Sequence, residues 1–412
     1  MSQYMQSHVG NKLYQPIGSL KKPDGTNSDP GLDTLNTLAN THYPEHTPKK
    51  DPQKPDIKCN TSDINKKYKD WINKDRLTQV FSDFKSKKSP GPDGLKPIMF
   101  KHLPPNIIDY LIVLYKAIIS TTYTPTLWKE ARIFYLAKPG KTDYTQPKSY
   151  RPISLSNYLL KALEKLAKWK ADEALQDHPL HDNQHGFRTG RGTDSAISQL
   201  TNYIERFLLK DEACLAVFLD IQAAFDSIKP EHIREMLLRY GVEPDLVDWY
   251  YLLLTHRDLS ITLHGETQEI SIGTGFPQGG VCSAAFWVIA YDEALHIMNT
   301  PVILGLGYAD DTAGLTGGTD IDFLHRKMQK RLDMLVEWGK PKGLTFNPSK
   351  TVVVLFTRNS KLEKQPCRQL KMNGVPLVRS DIATYLGVTL DKKLFWREHI
   401  NKRIATCKSV ML

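Results

Sequence analysis

The sequence predicts an α+β fold whose strands pair mainly as antiparallel hairpins. Three observations carry this. Apolar runs of strand length recur as pairs about turn residues: 131–141 with 149–155, 260–272 about His264-Gly265-Glu266, 303–315, and 370–377 about Asn373-Gly374. Segments with helical spacing (107–119, 157–175, 320–338) lie between them. Two of the strands also end in acids. Asp220 closes the run 215–219, and Asp310-Asp311 occupy the bend of 303–315, where the neighbouring glycines are expected to supply the sharp geometry.

Carboxylates beside buried strands are costly unless a cation meets them. Two strands that present acids to one point make a hard-oxygen site suited to Mg²⁺, with room left for phosphate oxygens. Any one of these acids is equally read as a strand end facing water. The two motifs together, with their flanks, favour the metal reading.

The composition bounds the class. The 412 residues suffice for one large body of subdomains, and a net charge of +10 suits a partner with a phosphate backbone, although charge alone does not exclude a merely basic protein. The cysteines Cys59, Cys214, Cys282, Cys367 and Cys407 are scattered without a Cys-x-x-Cys pair, and are expected to be reduced thiols of an intracellular protein. No apolar run approaches the ~20 residues of a membrane span, and the start lacks a signal-peptide pattern. A location in the nucleus, the cytoplasm or both, with no membrane partner, is the expectation.

Taken in order, residues 1–65 are rich in Pro, Asn, Thr, Lys and Asp without a sustained period, and are expected to be a disordered or linker extension. Helical spacing begins over 77–84, followed by the turn-rich Ser89-Pro90-Gly91-Pro92-Asp93-Gly94. The hairpin 131–155 carries Lys138 and Arg151, which are read either as two cations aimed at a triphosphate or as exposed surface charges. Next come Gln184-His185-Gly186-Phe187-Arg188 with Arg191; His185 is read as a hydrogen-bonded structural histidine, and Thr193-Asp194 as the cap of a helix through 209. Phe225 stands five residues beyond Asp220, and Pro230 opens a helix closed by Gly241. The loop 273–281 contains Pro277-Gln278-Gly279-Gly280, and Lys350 lies in Gly343-Leu344-Thr345-Phe346-Asn347-Pro348-Ser349-Lys350-Thr351. Tyr385-Leu386-Gly387-Val388 precedes a basic helix from 395 onward.

Phe218-Leu219-Asp220-Ile221-Gln222-Ala223-Ala224-Phe225-Asp226 and Tyr308-Ala309-Asp310-Asp311 resemble the two metal-binding motifs of reverse transcriptases, and specifically the non-LTR (LINE-type) retrotransposon branch. The segments quoted above resemble further motifs of that family in the same order, so the resemblance covers residues 85–405. Cys282-Ser283-Ala284 departs from the Leu-Ser-Pro common at its position.

The resemblance implies a right-hand polymerase: fingers over 66–212, an antiparallel-sheet palm with a primer-grip hairpin over 213–390, and the start of a truncated thumb over 391–412. It implies RNA-directed DNA synthesis, copying a retroelement RNA into cDNA from a DNA primer and dNTPs. Two Mg²⁺ ions, with Mn²⁺ as a substitute, would be held by Asp220, Asp310, Asp311 and the carbonyl of Ile221. Lys138, Arg151, Phe225, Gln278, Gly279 and Lys350 would contact the nucleotide, with Phe225 excluding a 2′-hydroxyl. Arg188, Arg191, Tyr385, Leu386 and Gly387 would contact template or primer. Phe225 as plain core packing and Lys350 as an ordinary turn lysine stay open. So do two other functions: a palm polymerase copying RNA into RNA, and an inactive nucleic-acid-binding remnant of a retroelement. No endonuclease or zinc-knuckle pattern is expected in this stretch.

Overall fold

The computed structural model describes residues 17–49, 64 and 66–411. Its longer helices are α1 (Leu32–His42), α2 (Lys74–Asp83), α3 (Pro105–Thr121), α4 (Tyr158–Asp177), α5 (Thr193–Leu208), α6 (Pro230–Arg239), α7 (Pro244–Thr255), α8 (Ser283–Met298), α9 (Ile321–Gly339) and α10 (Arg397–Met411). The strands are β1 (Thr47–Pro48), β2 (Glu130–Ala137), β3 (Tyr150–Ser156), β4 (Ala213–Leu219), β5 (Ile221–Gln222), β6 (Arg257–Leu263), β7 (Glu266–Ile272) and β8 (Leu304–Tyr308). They continue with β9 (Asp311–Gly318), β10 (Thr345–Phe346), β11 (Val352–Phe356), β12 (Lys371–Met372), β13 (Val375–Pro376), β14 (Val378–Arg379), β15 (Ile382–Tyr385) and β16 (Val388–Asp391). This is the mixed α/β, mainly antiparallel architecture expected. Contacts divide it into two units, Met1–His178 with Pro230–Ser283, and Pro179–Lys229 with Ala284–Leu412. The division falls elsewhere than the 212/213 boundary read from the motifs. No helix among the described residues is long and apolar enough to cross a membrane.

In the first unit a five-stranded sheet runs β1-β7-β6-β2-β3, antiparallel except for the parallel β2–β6 pair. The period-2 alternation of β2 turns Ala131 and Ile133 inward, where they meet Leu259, Ile261, Ile270 and Ile272. Leu35 and Ala39 of α1 cover this face, while Ile17, Leu20 and Leu38 pack with Ala137 and Tyr150. The expectation of an unfolded extension over 1–65 therefore does not hold for residues 17–49. Leu35, Leu38 and Ala39 form a short amphipathic stripe inside a polar stretch, and averaging the composition hides it. Residues 1–16, 50–63 and 65 lie outside the described residues.

In the second unit the sheet order is β14-β11-β4-β9-β8. The central strand β4 is buried at every residue, as its unbroken apolar run demands when both faces are covered. On one face Cys214, Ala216 and Phe218 pack with Leu200, Ile204 and Leu208 of α5 and with Ala383, Tyr385 and Leu390 of the β15–β16 hairpin. The other face meets α8 and α9: a Cβ on Gly314 would lie 2.3 Å from Met298 Cε and 3.4 Å from Met328 Sδ.

Candidate active site

The register of the second sheet gathers the acids. Leu219, the last residue of β4, pairs with Thr312, so Asp220 continues past the strand beside Asp311, the first residue of β9. Tyr308 pairs with Asp311, leaving Ala309-Asp310 as a two-residue bend. Neighbouring strand ends lie about 5 Å apart, so three carboxylates share one end of the sheet.

The sharp bend comes from Ala309 (φ +58°) and not from a glycine, which corrects the sequence reading. Gly305, Gly307 and Gly314 serve close packing instead: a Cβ on Gly305 would sit 2.7 Å from Met298 Cβ, and one on Gly307 3.0 Å from Leu295 Cδ1. The motif around Gln184 holds the hairpin from its other side. His185 N donates to Gly307 O at 2.7 Å and Gly307 N to Asn183 O at 2.9 Å. The buried Gln184 Oε1 accepts from Gly186 N at 3.0 Å and from Ala309 N at 3.3 Å. Gly186 is required here, since its Cβ would lie 2.3 Å from Ala309 N. His185 is structural, as read, with Nδ1 at 2.8 Å from Ser195 Oγ and Nε2 at 2.8 Å from Gln199 Oε1.

Asp220 is fixed through its backbone. Its carbonyl accepts from Asn347 N at 2.8 Å, its N–H donates to Thr351 Oγ1 at 3.3 Å, and β5, which holds Ile221, pairs with β10. Lys350 is exposed and points its Nζ toward Asp220 Oδ2 at 3.7 Å, beyond hydrogen-bond range. Asp220 Oδ2 is enclosed and accepts no hydrogen bond. The carboxyl of Asp311, although solvent-exposed, is pushed up to about 6, first by the protein crowded around it and then by the charges of Asp310 and Asp220. An enclosed carboxylate oxygen without a donor, beside two further acids, is the hard-oxygen set that fits a divalent cation. Among the described residues no three His, Cys, Asp or Glu side chains converge as a metal-holding group, so the three acids share one end of the sheet without closing on a single point.

Phe225 is half-buried and stacks on Trp287 (4.9 Å, 25°), which stacks on Tyr291 (5.4 Å, 12°). Thr312 Oγ1 donates to Tyr291 Oη at 3.0 Å, so the aromatic column is tied to the acid-bearing strand. Ala223 (φ +46°) makes the turn that delivers Phe225 to the column.

In the first unit, the β2–β3 register puts Arg151 opposite Leu136, on the same hairpin face as Lys138. Arg151 is exposed, while Lys138 Nζ donates to Lys148 O at 2.9 Å. Gln278 O accepts from Ser154 N at 2.8 Å, which brings the loop 276–282 to the edge strand that carries Arg151. Gly279 (φ +125°) must be glycine, because its Cβ would lie 2.6 Å from Ser154 O.

Two supports of this loop escaped the sequence reading. The buried Glu164 accepts from Val281 N through Oε2 at 3.3 Å, and Cys282 Sγ donates to its main-chain oxygen at 3.0 Å. Burial pushes the Glu164 carboxyl up to about 7. Arg257, also buried, donates to Thr274 O and, at 2.9 Å, to Gly275 O. The signal for Glu164 was an acid on the apolar stripe of α4, between Leu160 and Ala167; Arg257 had no local signal.

The remaining expected contacts are partly turned inward. Arg188 Nη1 donates to His181 O at 2.7 Å, and Arg191 pairs with Asp182 at 3.5 Å. Tyr385 is buried with its ring 5.6 Å from Phe218, so its side chain belongs to the core and not to a primer-facing surface. Leu386 (φ +47°) and Gly387 (φ +78°) form the β15–β16 turn, where Gly387 O accepts from Arg403 Nη2 at 2.8 Å.

Residues 136–390 match the family model described as reverse transcriptase (RNA-dependent DNA polymerase), and the chain belongs to that family. It is 31% identical over 349 residues (82% of this chain, 37% of the relative) to the probable RNA-directed DNA polymerase from transposon BS of Drosophila melanogaster. It is 30% identical over 323 residues (76% and 34%) to the RNA-directed DNA polymerase from mobile element jockey of the same species. It is 25% identical over 327 residues (79% and 32%) to the Pol polyprotein from type-1 retrotransposable element R1 of Bradysia coprophila. The non-LTR resemblance read from the motifs is thus borne out. The chain spans about a third of the length of these relatives.

Proposed function

We propose that this chain carries out RNA-directed DNA synthesis, extending a DNA primer on an RNA template with dNTPs. The observation that carries the proposal is the set Asp220, Asp310 and Asp311 at one end of a sheet, with an enclosed Asp220 oxygen that accepts no hydrogen bond. Asp220 and Asp310, supported by Asp311 and the Ile221 carbonyl, would hold two Mg²⁺ ions, whose chemistry is to stabilise the attacking and leaving oxygens of nucleotidyl transfer.

The protein's own part is orientation and charge. Asn347 and Thr351 keep Asp220 at the strand end. Lys350, beside Asp220, is a cation for the departing pyrophosphate. Phe225, backed by Trp287, is a rigid wall against a 2′-hydroxyl. Lys138, Arg151, Gln278 and Gly279 are read as contacts to the triphosphate and base of the nucleotide. In this reading residues 66–212 act as fingers, 213–390 as palm and 391–412 as the start of a thumb. Arg188, Arg191 and the Leu386–Gly387 turn act on template and primer, and the chain works inside the cell.

The test is extension of a DNA primer on an RNA template by the purified chain, with and without Mg²⁺. Mg²⁺-dependent incorporation of dNTPs is expected. RNA binding with no incorporation under any divalent ion would refute the proposal, and equal use of rNTPs would favour an RNA-copying polymerase.

A further inference from the structure

Helix α9 carries two stripes. Leu324, Met328, Leu332 and Leu335 are buried against the sheet. Phe323, Arg326, Lys327, Lys330 and Met334, spaced three and four apart, form an exposed stripe on the other side. Beside it, the segment that leads into the β12–β13 hairpin closes a cavity of about 640 Å³. Its walls carry Arg326, Lys330, Arg368 and Lys371, with apolar surface from Met334 and Leu370. Asp333 is the acid in the lining, and it accepts from Gln329 Nε2 at 2.7 Å.

The cations are partly preset. Asp322, just outside the cavity, meets Arg326 Nε at 3.1 Å and lies 3.9 Å from Arg368 Nε. Their Nη groups, and the ammonium groups of Lys330 and Lys371, are not hydrogen-bonded or ion-paired to described residues, while the side chains of Arg326 and Arg368 are 51% and 77% exposed. The Arg326 guanidinium, paired with Asp322 at Nε, leaves its outer nitrogens for an anion. Arg326 and Lys327 also lie over the exposed Phe323 ring, at 6.0 and 5.1 Å from its centre. Cations flanking an exposed ring suit a polymer that alternates phosphates with flat bases.

We infer that this cleft binds the phosphodiester backbone of single-stranded RNA, as a second nucleic-acid site whose residues are separate from the aspartate hairpin. It rests on the polymerase reading only for the kind of polymer the chain meets. An acidic polypeptide would satisfy the cations but would bring no planar group to Phe323.

The test measures binding of labelled poly(U) by the full chain at several salt concentrations, in a chelator and without nucleotide, so that polymerisation plays no part. Neutralising Arg326, Lys330, Arg368 and Lys371 together to Ala should lower the slope of log K against log salt by about 3, at about 0.7 for each lost phosphate contact. Arg368→Glu alone, outside α9, should lower it by about 1, which keeps the test open if the fourfold variant misfolds. Phe323→Ala should weaken binding by about fivefold or more with an unchanged slope. Unchanged slopes in both charge variants overturn the inference. It is also overturned if polyglutamate binds the wild-type chain as tightly as poly(U) and loses that binding in the variants. Primer extension on a short template, run in parallel, reports the polymerase reading separately.

Discussion

Glu164→Gln isolates the cost of one buried carboxyl beneath the loop 276–282. Glu164 is 1% exposed, and its carboxyl rises from 4.5 to about 7 because burial outweighs the pull of Val281 N–H, Lys161, the Cys282 backbone and Arg257. Between pH 4.5 and 7 the folded chain holds a proton that the unfolded chain has released, so stability falls as pH rises through this window and levels off above it. At about 1.4 kcal/mol per pH unit, the loss amounts to about 3 kcal/mol by pH 8. Glutamine keeps an acceptor for Val281 N–H and carries no charge. The variant should therefore match the wild type near pH 4.5 and exceed it by up to about 3 kcal/mol at pH 8. Urea denaturation followed by tryptophan fluorescence at pH 5, 6, 7 and 8 measures the difference. Parallel stability profiles for the two proteins would refute the reasoning, as would a variant that is less stable at pH 8.

Four further outcomes are expected. Asp310→Asn should cut primer extension by more than about a hundredfold while leaving RNA binding and melting temperature near the wild type; near-normal extension by a folded variant sinks the assignment of the acids. Phe225→Ala should raise rNTP use relative to dNTP use by about 10- to 100-fold, read from competition between the two nucleotides, whereas an unchanged ratio would leave Phe225 as packing against Trp287. Gly186→Ala drives a Cβ into Ala309 N, so it should cost about 1–3 kcal/mol and depress extension more than RNA binding; Gln184→Leu, which strands the N–H groups of Gly186 and Ala309, should cost roughly 1–3 kcal/mol. Thermal melts beside extension assays check both, and unperturbed melts would show that the hairpin does not depend on this buttress.

What the sequence by itself determined is what short-range chemistry writes. The all-apolar, β-prone run of β4 was legible as a buried strand, and the structure buries every residue of it. Asn373-Gly374 adopts the positive φ angles (51° and 77°) that a two-residue hairpin turn demands. Asp220, Asp310 and Asp311 were legible as strand-end acids because period-2 alternation and turn position are local. Tertiary structure alone decided how these pieces support one another. Gln184 Oε1 reaches Ala309 N across 125 positions, and no local pattern announces that bond. The glycines flanking the aspartates looked like turn residues, yet they make room for Leu295 and Met298, side chains of α8, the helix just before them in the chain. Tyr385 looked like a primer contact and is a core residue under Phe218. The polar stretch 17–49 acquires its order from a sheet whose strands come from 130–156 and 257–272. In each case the deciding energy is burial or a hydrogen bond with a partner outside the local strand or turn, and it exists only once the sheets have closed.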